Sequence, residues 1–180
     1  MKSTSRQFEN VISRCRSIFE KKLTDYGTAW RALRPSSITD QIFIKINRLR
    51  TLQITGNKKV EESEEEGYIA IVNYAVIGLI QLKKGFSDTL EEPHEEIMEL
   101  YDHFAHEALE LMKKKNHDYG EAWKEMRLTS ITDLIYQKIL RTKQIENNEG
   151  KTLASEGIEA NYYDMINYAV FCCIKITQNI

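Results

Sequence analysis

The sequence is poor in cysteine, and the few cysteines present indicate neither a cysteine metal site nor a disulfide framework. Among 180 residues there are three, Cys15 and the adjacent pair Cys172 and Cys173, with neither metal-ligand spacing nor an even number for a disulfide framework. We therefore expect buried, reduced thiols of a cytoplasmic protein. The first 16 residues lack the apolar core of a secretory signal, so we also expect a protein that is not exported.

The sequence also lacks an excess of charge of one sign and long apolar runs. The formal net charge is −2 and the pI is near 6.1, which gives no general attraction to nucleic acid or to an anionic membrane. No apolar run approaches the roughly 20 residues of a membrane-spanning helix, and no strand-like alternation occurs. With 42% hydrophobic residues the chain can bury a core, and we expect it to be all-α.

One stretch of the sequence occurs twice. Residues 25–48 and 118–141 are related by a constant offset of 93 and are identical at 14 of 24 positions. Both copies read Asp-Tyr-Gly-x-Ala-Trp, then Arg, Ser-Ile-Thr-Asp and Lys-x-x-Arg. After one extra residue in the second copy, residues 73–76 match residues 167–170, both Asn-Tyr-Ala-Val, at an offset of 94. The chain is therefore a duplicated unit.

The duplication defines the domain organisation that we predict. Residues 1–84 form the first helical repeat, residues 85–94 a linker that mixes charge with helix breakers, and residues 95–180 the second repeat. Each repeat reads as three helices. We expect the two three-helix units to pack about a pseudo-two-fold axis as one compact bundle.

Local patterns predict where some of these helices begin. Ser37 with Asp40, and Ser130 with Asp133, have the form of capping boxes that open the second helix of each unit. The third helix of the second unit is expected from Ala154 to about residue 177. Both third helices are apolar around most of their circumference, which predicts that they are buried.

Carboxylates and an amide share one side of the last predicted helix. At about 100° per residue, Glu156, Glu159, Asp164 and Asn167 project within one sector, which we call the acidic stripe. Two or three such carboxylates suit Mg²⁺, which prefers oxygen ligands and bridges to substrate phosphates. The alternative is that Asn167 and its counterpart Asn73 are polar core residues with protein partners.

The first copy is chemically poorer at the same place. Its position opposite Asp164 is Ala70, although Glu62, Glu65 and Glu66 supply carboxylates at matching height. Because duplication relaxes the demand on each copy, the second unit is the better candidate for a working site. The other option is one composite site built from both halves.

Basic side chains stand on the neighbouring helix of each unit. Lys45 with Arg48, and Lys138 with Arg141, are three residues apart and so share a helix face. Such a pair can hold phosphates, with arginine giving two parallel hydrogen bonds. The alternative is a solvated face that makes ion pairs with the acidic third helix.

Two pairs of aromatic residues complete the candidates, Tyr26 with Trp30 and Tyr119 with Trp123. Their rings could stack on a base. The alternative is that an aromatic residue beside a helix break plugs the core.

The repeated pattern and the acidic stripe after it resemble the nucleotide-modification-associated domain family, here in tandem over nearly the whole chain. That family is similar to the all-α NTP pyrophosphatases of the MazG and dimeric dUTPase type, whose bundles hold Mg²⁺ and cleave a nucleoside triphosphate to monophosphate and pyrophosphate. The resemblance implies a MazG-like fold. Carried over by position, the metal-binding and catalytic carboxylates are Glu156, Glu159 and Asp164, with Lys138 and Arg141 facing the phosphates.

Two functional hypotheses follow. One is a Mg²⁺-dependent nucleoside triphosphate pyrophosphohydrolase of nucleotide metabolism or modification; the other is a non-catalytic nucleotide-binding or scaffolding module with a degenerate metal site. The expected partner is a nucleotide or nucleoside phosphate, rather than nucleic acid or membrane, with a homo-oligomer as an option. The substrate-binding residues we predict are Lys45, Arg48, Asn73, Tyr119, Trp123, Lys138, Arg141 and Asn167.

Overall fold

The computed structural model describes residues 3–180, so the first two residues of the predicted first repeat lie outside it. Within that range the chain is a helical bundle without strands, which confirms the predicted all-α class. Among residues 3–180 no helix combines the length and apolar character needed to cross a membrane. The α-helices are Thr4–Tyr26 (α1), Pro35–Thr55 (α2), Glu64–Lys84 (α3), His94–Tyr119 (α4), Leu128–Asn147 (α5) and Ile158–Gln178 (α6); short 3-10 helices span Ala29–Ala32 and Ala122–Glu125.

The second helix of each unit, α2 and α5, begins before the serine that was predicted to cap it. α2 starts at Pro35 and α5 at the equivalent position, and neither N-cap side chain makes a capping hydrogen bond. Proline suits the first helical position, because its fixed φ matches the helix and its missing N–H has no partner there anyway. The boxes predicted at Ser37 with Asp40, and at their counterparts, are therefore wrong. A capping box opens α3 instead, between Ser63 and Glu66.

The two third helices form the centre of the bundle. α3 packs against α6, α2 packs against α5, and α1 and α4 contact each other and both third helices. Gly78 lets α3 and α6 approach closely, since a Cβ at that position would lie 2.8 Å from the ring of Tyr162. Nearly every side of α3 and α6 is buried, as their apolar circumference predicted.

Paired contacts across the bundle show its pseudo-two-fold symmetry. The Tyr68 hydroxyl lies 2.7 Å from Thr132 Oγ1, and the Tyr162 hydroxyl lies 2.6 Å from Thr39 Oγ1. These two hydrogen bonds interchange under the repeat offset. In each unit a tyrosine of the third helix therefore forms a hydrogen bond with a threonine on the second helix of the other unit. This exchange confirms the predicted pseudo-two-fold packing of the two units.

Asp40 and Asp133 do not cap a helix but form equivalent salt bridges in the two halves of the bundle. Asp40 forms a salt bridge with Lys143 at 3.0 Å, and Asp133 forms one with Arg50 at 3.2 Å. Both aspartates are well exposed, so each pair contributes at most about 1 kcal/mol. Their role is to align α2 with α5.

A largely buried carboxylate helps to hold the connection between the units in place. Glu92 is largely buried and accepts hydrogen bonds from Arg31 Nε at 2.8 Å and Lys84 Nζ at 3.1 Å. Burial raises the pKa of Glu92, but the two cations outweigh it and hold the pKa below its usual range. The segment between α3 and α4 is thus tied to the first unit, while the predicted boundaries at 84 and 95 stay a prediction.

The three cysteines are buried and unpaired, as predicted. Burial raises the pKa of the Cys15 thiol to about 12. At neutral pH the thiol is therefore protonated and unreactive.

Candidate functional site

A cavity of about 630 Å³ opens in the first unit between the end of α1, the turn after it, α2 and α3. Its wall is largely apolar and includes the rings of Trp30 and Tyr74. The volume lies within the range of about 300–1,000 Å³ that small-molecule sites occupy. The cavity therefore has the size and lining of a ligand site. Its polar side chains are Lys22, Gln41, Lys45, Glu62, Glu66 and Asn73.

Trp30 lies on the cavity wall, in a turn whose backbone is hydrogen-bonded to α3. The buried side-chain amide of Gln81 donates hydrogen bonds to the backbone carbonyls of Trp30 and Arg31, at 3.2 and 3.1 Å. In the second unit Lys175 replaces Gln81 and donates to the carbonyl of Lys124 at 2.8 Å. Each third helix thus fixes the position of its own tryptophan turn.

The predicted basic pair of the first unit meets a single carboxylate. Lys45 Nζ lies 2.9 Å from Glu62, and the Arg48 guanidinium lies 3.1 Å from it. This is the arrangement that the ion-pair alternative describes, yet Lys45 and Glu62 both remain on the cavity wall. Glu66, also on the wall, accepts a hydrogen bond from the Ser63 backbone, which lowers its pKa.

In the second unit the predicted carboxylate Asp164 lies between two lysines. Its Oδ1 accepts a hydrogen bond from Lys115 Nζ at 2.5 Å, and its Oδ2 lies 2.7 Å from Lys138 Nζ. We call these three residues the ion triad. Burial lowers the pKa of Lys115, but the hydrogen bond and charge of Asp164 outweigh it and raise the pKa overall. Both oxygens of Asp164 are therefore engaged, while the predicted phosphate ligand Arg141 is exposed to solvent.

The other two predicted metal ligands are not brought into a cage with it. α6 begins at Ile158 rather than at the predicted Ala154, so Glu156 lies in the preceding loop and off the helical stripe. Glu156 and Glu159 are exposed. Within residues 3–180 no three histidine, cysteine or acidic side chains lie close enough together to hold a metal ion. The Mg²⁺ site predicted at Glu156, Glu159 and Asp164 therefore stays a prediction.

The aromatic residues of the second unit are arranged differently from those of the first. Trp123 is buried and stacks on Phe171, with ring centroids 4.3 Å apart and planes 2° from parallel. The residue equivalent to Phe171 is Ile77, which lines the cavity of the first unit. The Phe171 ring thus fills, in the second unit, the space that the smaller Ile77 leaves open in the first unit. Tyr119 is 73% exposed and takes no part in this packing.

The two predicted asparagines also differ. Asn73 donates to the Cys15 carbonyl at 3.1 Å and accepts from the Tyr101 hydroxyl at 2.8 Å, so it braces the two units while lining the cavity. Asn167 is only 5% exposed, and neither of its side-chain polar atoms has a partner in the part of the chain that is described. The residue equivalent to Tyr101 is Phe8, which has no hydroxyl to offer. The missing hydroxyl accounts for the unpaired Oδ1 of Asn167, while its Nδ2 also lacks the carbonyl partner that Asn73 finds at Cys15.

Sequence reasoning missed Lys22 and the contrast between Ile77 and Phe171. Both were visible in the aligned repeats, because Lys22 is matched by Lys115 and the bulky ring has no counterpart in the first unit. The count of carboxylates favoured the second unit, whereas the cavity lies in the first. A site in the second unit stays a prediction.

Comparison with known proteins identifies a family. The model of the family described as nucleotide modification associated domain 1 matches residues 22–82 and 115–176, which correspond to one another in the two repeats. Neither the curated proteins nor the solved structures yield a match. The likeness to MazG-type pyrophosphatases accordingly stays a prediction. The two matched segments cover most of the chain, which therefore belongs to the nucleotide modification associated domain 1 family.

Proposed function

We propose that the protein binds a nucleoside phosphate in the cavity of the first unit. The observation that carries the proposal is that one cavity of about 630 Å³ is lined by two aromatic residues, Trp30 and Tyr74, and by two lysines, Lys22 and Lys45. A family associated with nucleotide modification supports a nucleotide as the ligand.

The two ends of such a ligand need different surroundings, and the wall offers both. A base has a flat π-face that stacks on aromatic rings, a contact that contributes about 1–3 kcal/mol per base in nucleic-acid-binding proteins. A phosphate needs cationic donors, and lysine serves as a point charge for it. Gln41 adds a neutral donor and acceptor on the same wall, suited to a base edge or a sugar hydroxyl.

Calorimetric titration with nucleosides, nucleoside monophosphates and nucleoside triphosphates tests the proposal. Lys22→Met should weaken binding of the phosphorylated ligands, whereas Lys21→Met, an exposed neighbour that is not on the cavity wall, should not. Ligand quenching of tryptophan fluorescence should disappear in Trp30→Phe, because Trp123 is stacked inside the second unit. If no nucleoside or nucleotide binds, the proposed function fails and a scaffolding role is favoured.

Mg²⁺-dependent hydrolysis is a second proposal for the same cavity. Glu62 and Glu66 both line it, and two carboxylates beside a phosphate are a common setting for Mg²⁺, which would neutralise phosphate charge when bound. Release of pyrophosphate from nucleoside triphosphates, with and without Mg²⁺, is the direct assay. Activity that requires Mg²⁺ and is lost in Glu66→Gln would support hydrolysis; binding without product release would leave a binding module.

A further inference from the structure

The internal repeat lets one unit serve as a reference for the other. Under the offset of 93 in the first two helices and 94 in the third, Lys22, Lys45 and Ala70 are the counterparts of Lys115, Lys138 and Asp164. The latter three form the ion triad, in which one buried carboxylate is held by two lysines. The first unit thus keeps both cations and lacks the anion between them.

The position of the missing anion is part of the cavity. Lys22, Lys45 and Ala70 all lie on its wall, so the small alanine leaves space in a cavity that both lysines line. Of these two lysines only Lys45 has a carboxylate partner among the described residues, Glu62 at 2.9 Å. An ammonium group has three donors, so Lys45 can keep Glu62 and still bind a second acceptor.

We propose that these three residues form an anion subsite, in which one phosphate group of the ligand takes the place that the Asp164 carboxylate holds in the second unit. The proposal rests on the function proposed above and makes it more specific. A phosphate resembles the carboxylate in presenting anionic oxygens to both lysines. The second unit carries its own anion and has its aromatic space filled by Phe171, so it acts as the closed counterpart.

The charges around the subsite also select the ligand class. The two lysines on the wall are matched by two carboxylates, Glu62 and Glu66. A single phosphate at the subsite gains both cations, whereas further phosphates would face carboxylates unless a divalent cation came with them. The ligand that the subsite favours without metal is therefore a nucleoside monophosphate rather than a triphosphate.

Ala70→Asp tests the subsite, because it rebuilds the ion triad in the first unit, and Ala70→Asn is the control of equal size without charge. Relative to Ala70→Asn, we expect Ala70→Asp to bind a nucleoside monophosphate at least about tenfold more weakly, since a charge-assisted contact is lost and a repulsion added. The parent nucleoside should bind both variants equally. Inorganic phosphate should stabilise the wild type and Ala70→Asn against heat, but not Ala70→Asp.

The outcomes separate the subsite from the function on which it rests. Equal binding of monophosphate by Ala70→Asp and Ala70→Asn would overturn the subsite, as would a wild type that responds to neither monophosphate nor phosphate. A response to inorganic phosphate alone, lost in Ala70→Asp, would support the subsite and reject the proposed nucleotide function. Lys22→Met, a change at an exposed position, provides a second variant with the same expected pattern if either change at Ala70 prevents folding.

Discussion

The ion triad allows a structural role of Asp164 to be separated from a metal-binding one. Asp164→Asn keeps the size of the side chain but leaves Lys138, whose side chain is only 13% exposed, beside a neutral amide. Removing one partner of a buried ion pair costs about 3–5 kcal/mol, while exposed pairs contribute about 1 kcal/mol or less. Lys115 is 40% exposed and can be solvated, so we expect an intermediate loss of about 1–3 kcal/mol in the free energy of unfolding.

Urea unfolding followed by far-ultraviolet circular dichroism measures this loss, with and without excess Mg²⁺. Glu159→Gln is the matched control, since Glu159 is exposed on the first turn of the same helix and should change stability by less than about 1 kcal/mol. We expect Mg²⁺ to leave the difference between wild type and Asp164→Asn unchanged. Stabilisation of the wild type alone by Mg²⁺, or an Asp164→Asn variant as stable as wild type, would refute the structural role.

Three further predictions concern the packing between the units. Gly78→Ala should cost about 1–3 kcal/mol in urea unfolding, because its methyl group would overlap the ring of Tyr162; unchanged stability would show that the ring moves freely. Tyr101→Phe should cost about 1–3 kcal/mol in the same assay by leaving Asn73 without its hydroxyl donor. Burial raises the pKa of Glu146 above 4.5, so its contribution to stability is complete below that pH and is lost as pH rises through the raised pKa. Thermal unfolding of Glu146→Gln should therefore match wild type in acid and exceed it at neutral pH; the reverse order would contradict the shift.

Much of the fold could be predicted because the signals that determine it are periodic and repeated. The apolar positions Ile38, Ile42, Ile46 and Leu49 are all fully buried, as helical spacing requires. Local start signals were less reliable. A serine three residues before an aspartate suggested a cap, but Pro35 had already begun the helix. Ala154 has a high helix propensity, yet α6 begins four residues later, after an N-cap at Gly157.

The candidate site was harder to predict, because it depends on where side chains are small rather than on where they are reactive. Counting carboxylates pointed to Asp164, which the fold uses to neutralise two lysines. In the sequence Ala70 is only the absence of a carboxylate, whereas in three dimensions it is part of a cavity wall. Space of this kind arises from several elements at once, so no single motif reveals it.

Duplication explains why the two units differ in the space behind the tryptophan but share the same contacts across the pseudo-two-fold axis. The Tyr68 and Tyr162 hydrogen bonds join one unit to the other, so a change in either weakens the packing of both. The space behind each tryptophan is bounded by its own unit, and the two spaces can change independently. In the second unit Phe171 occupies that space by stacking on Trp123, and the ion triad adds salt bridges within the same unit. An open cavity lacks such contacts and is less stable for it, so the filled second unit can supply stability while the first unit keeps the cavity in which we propose ligand binding.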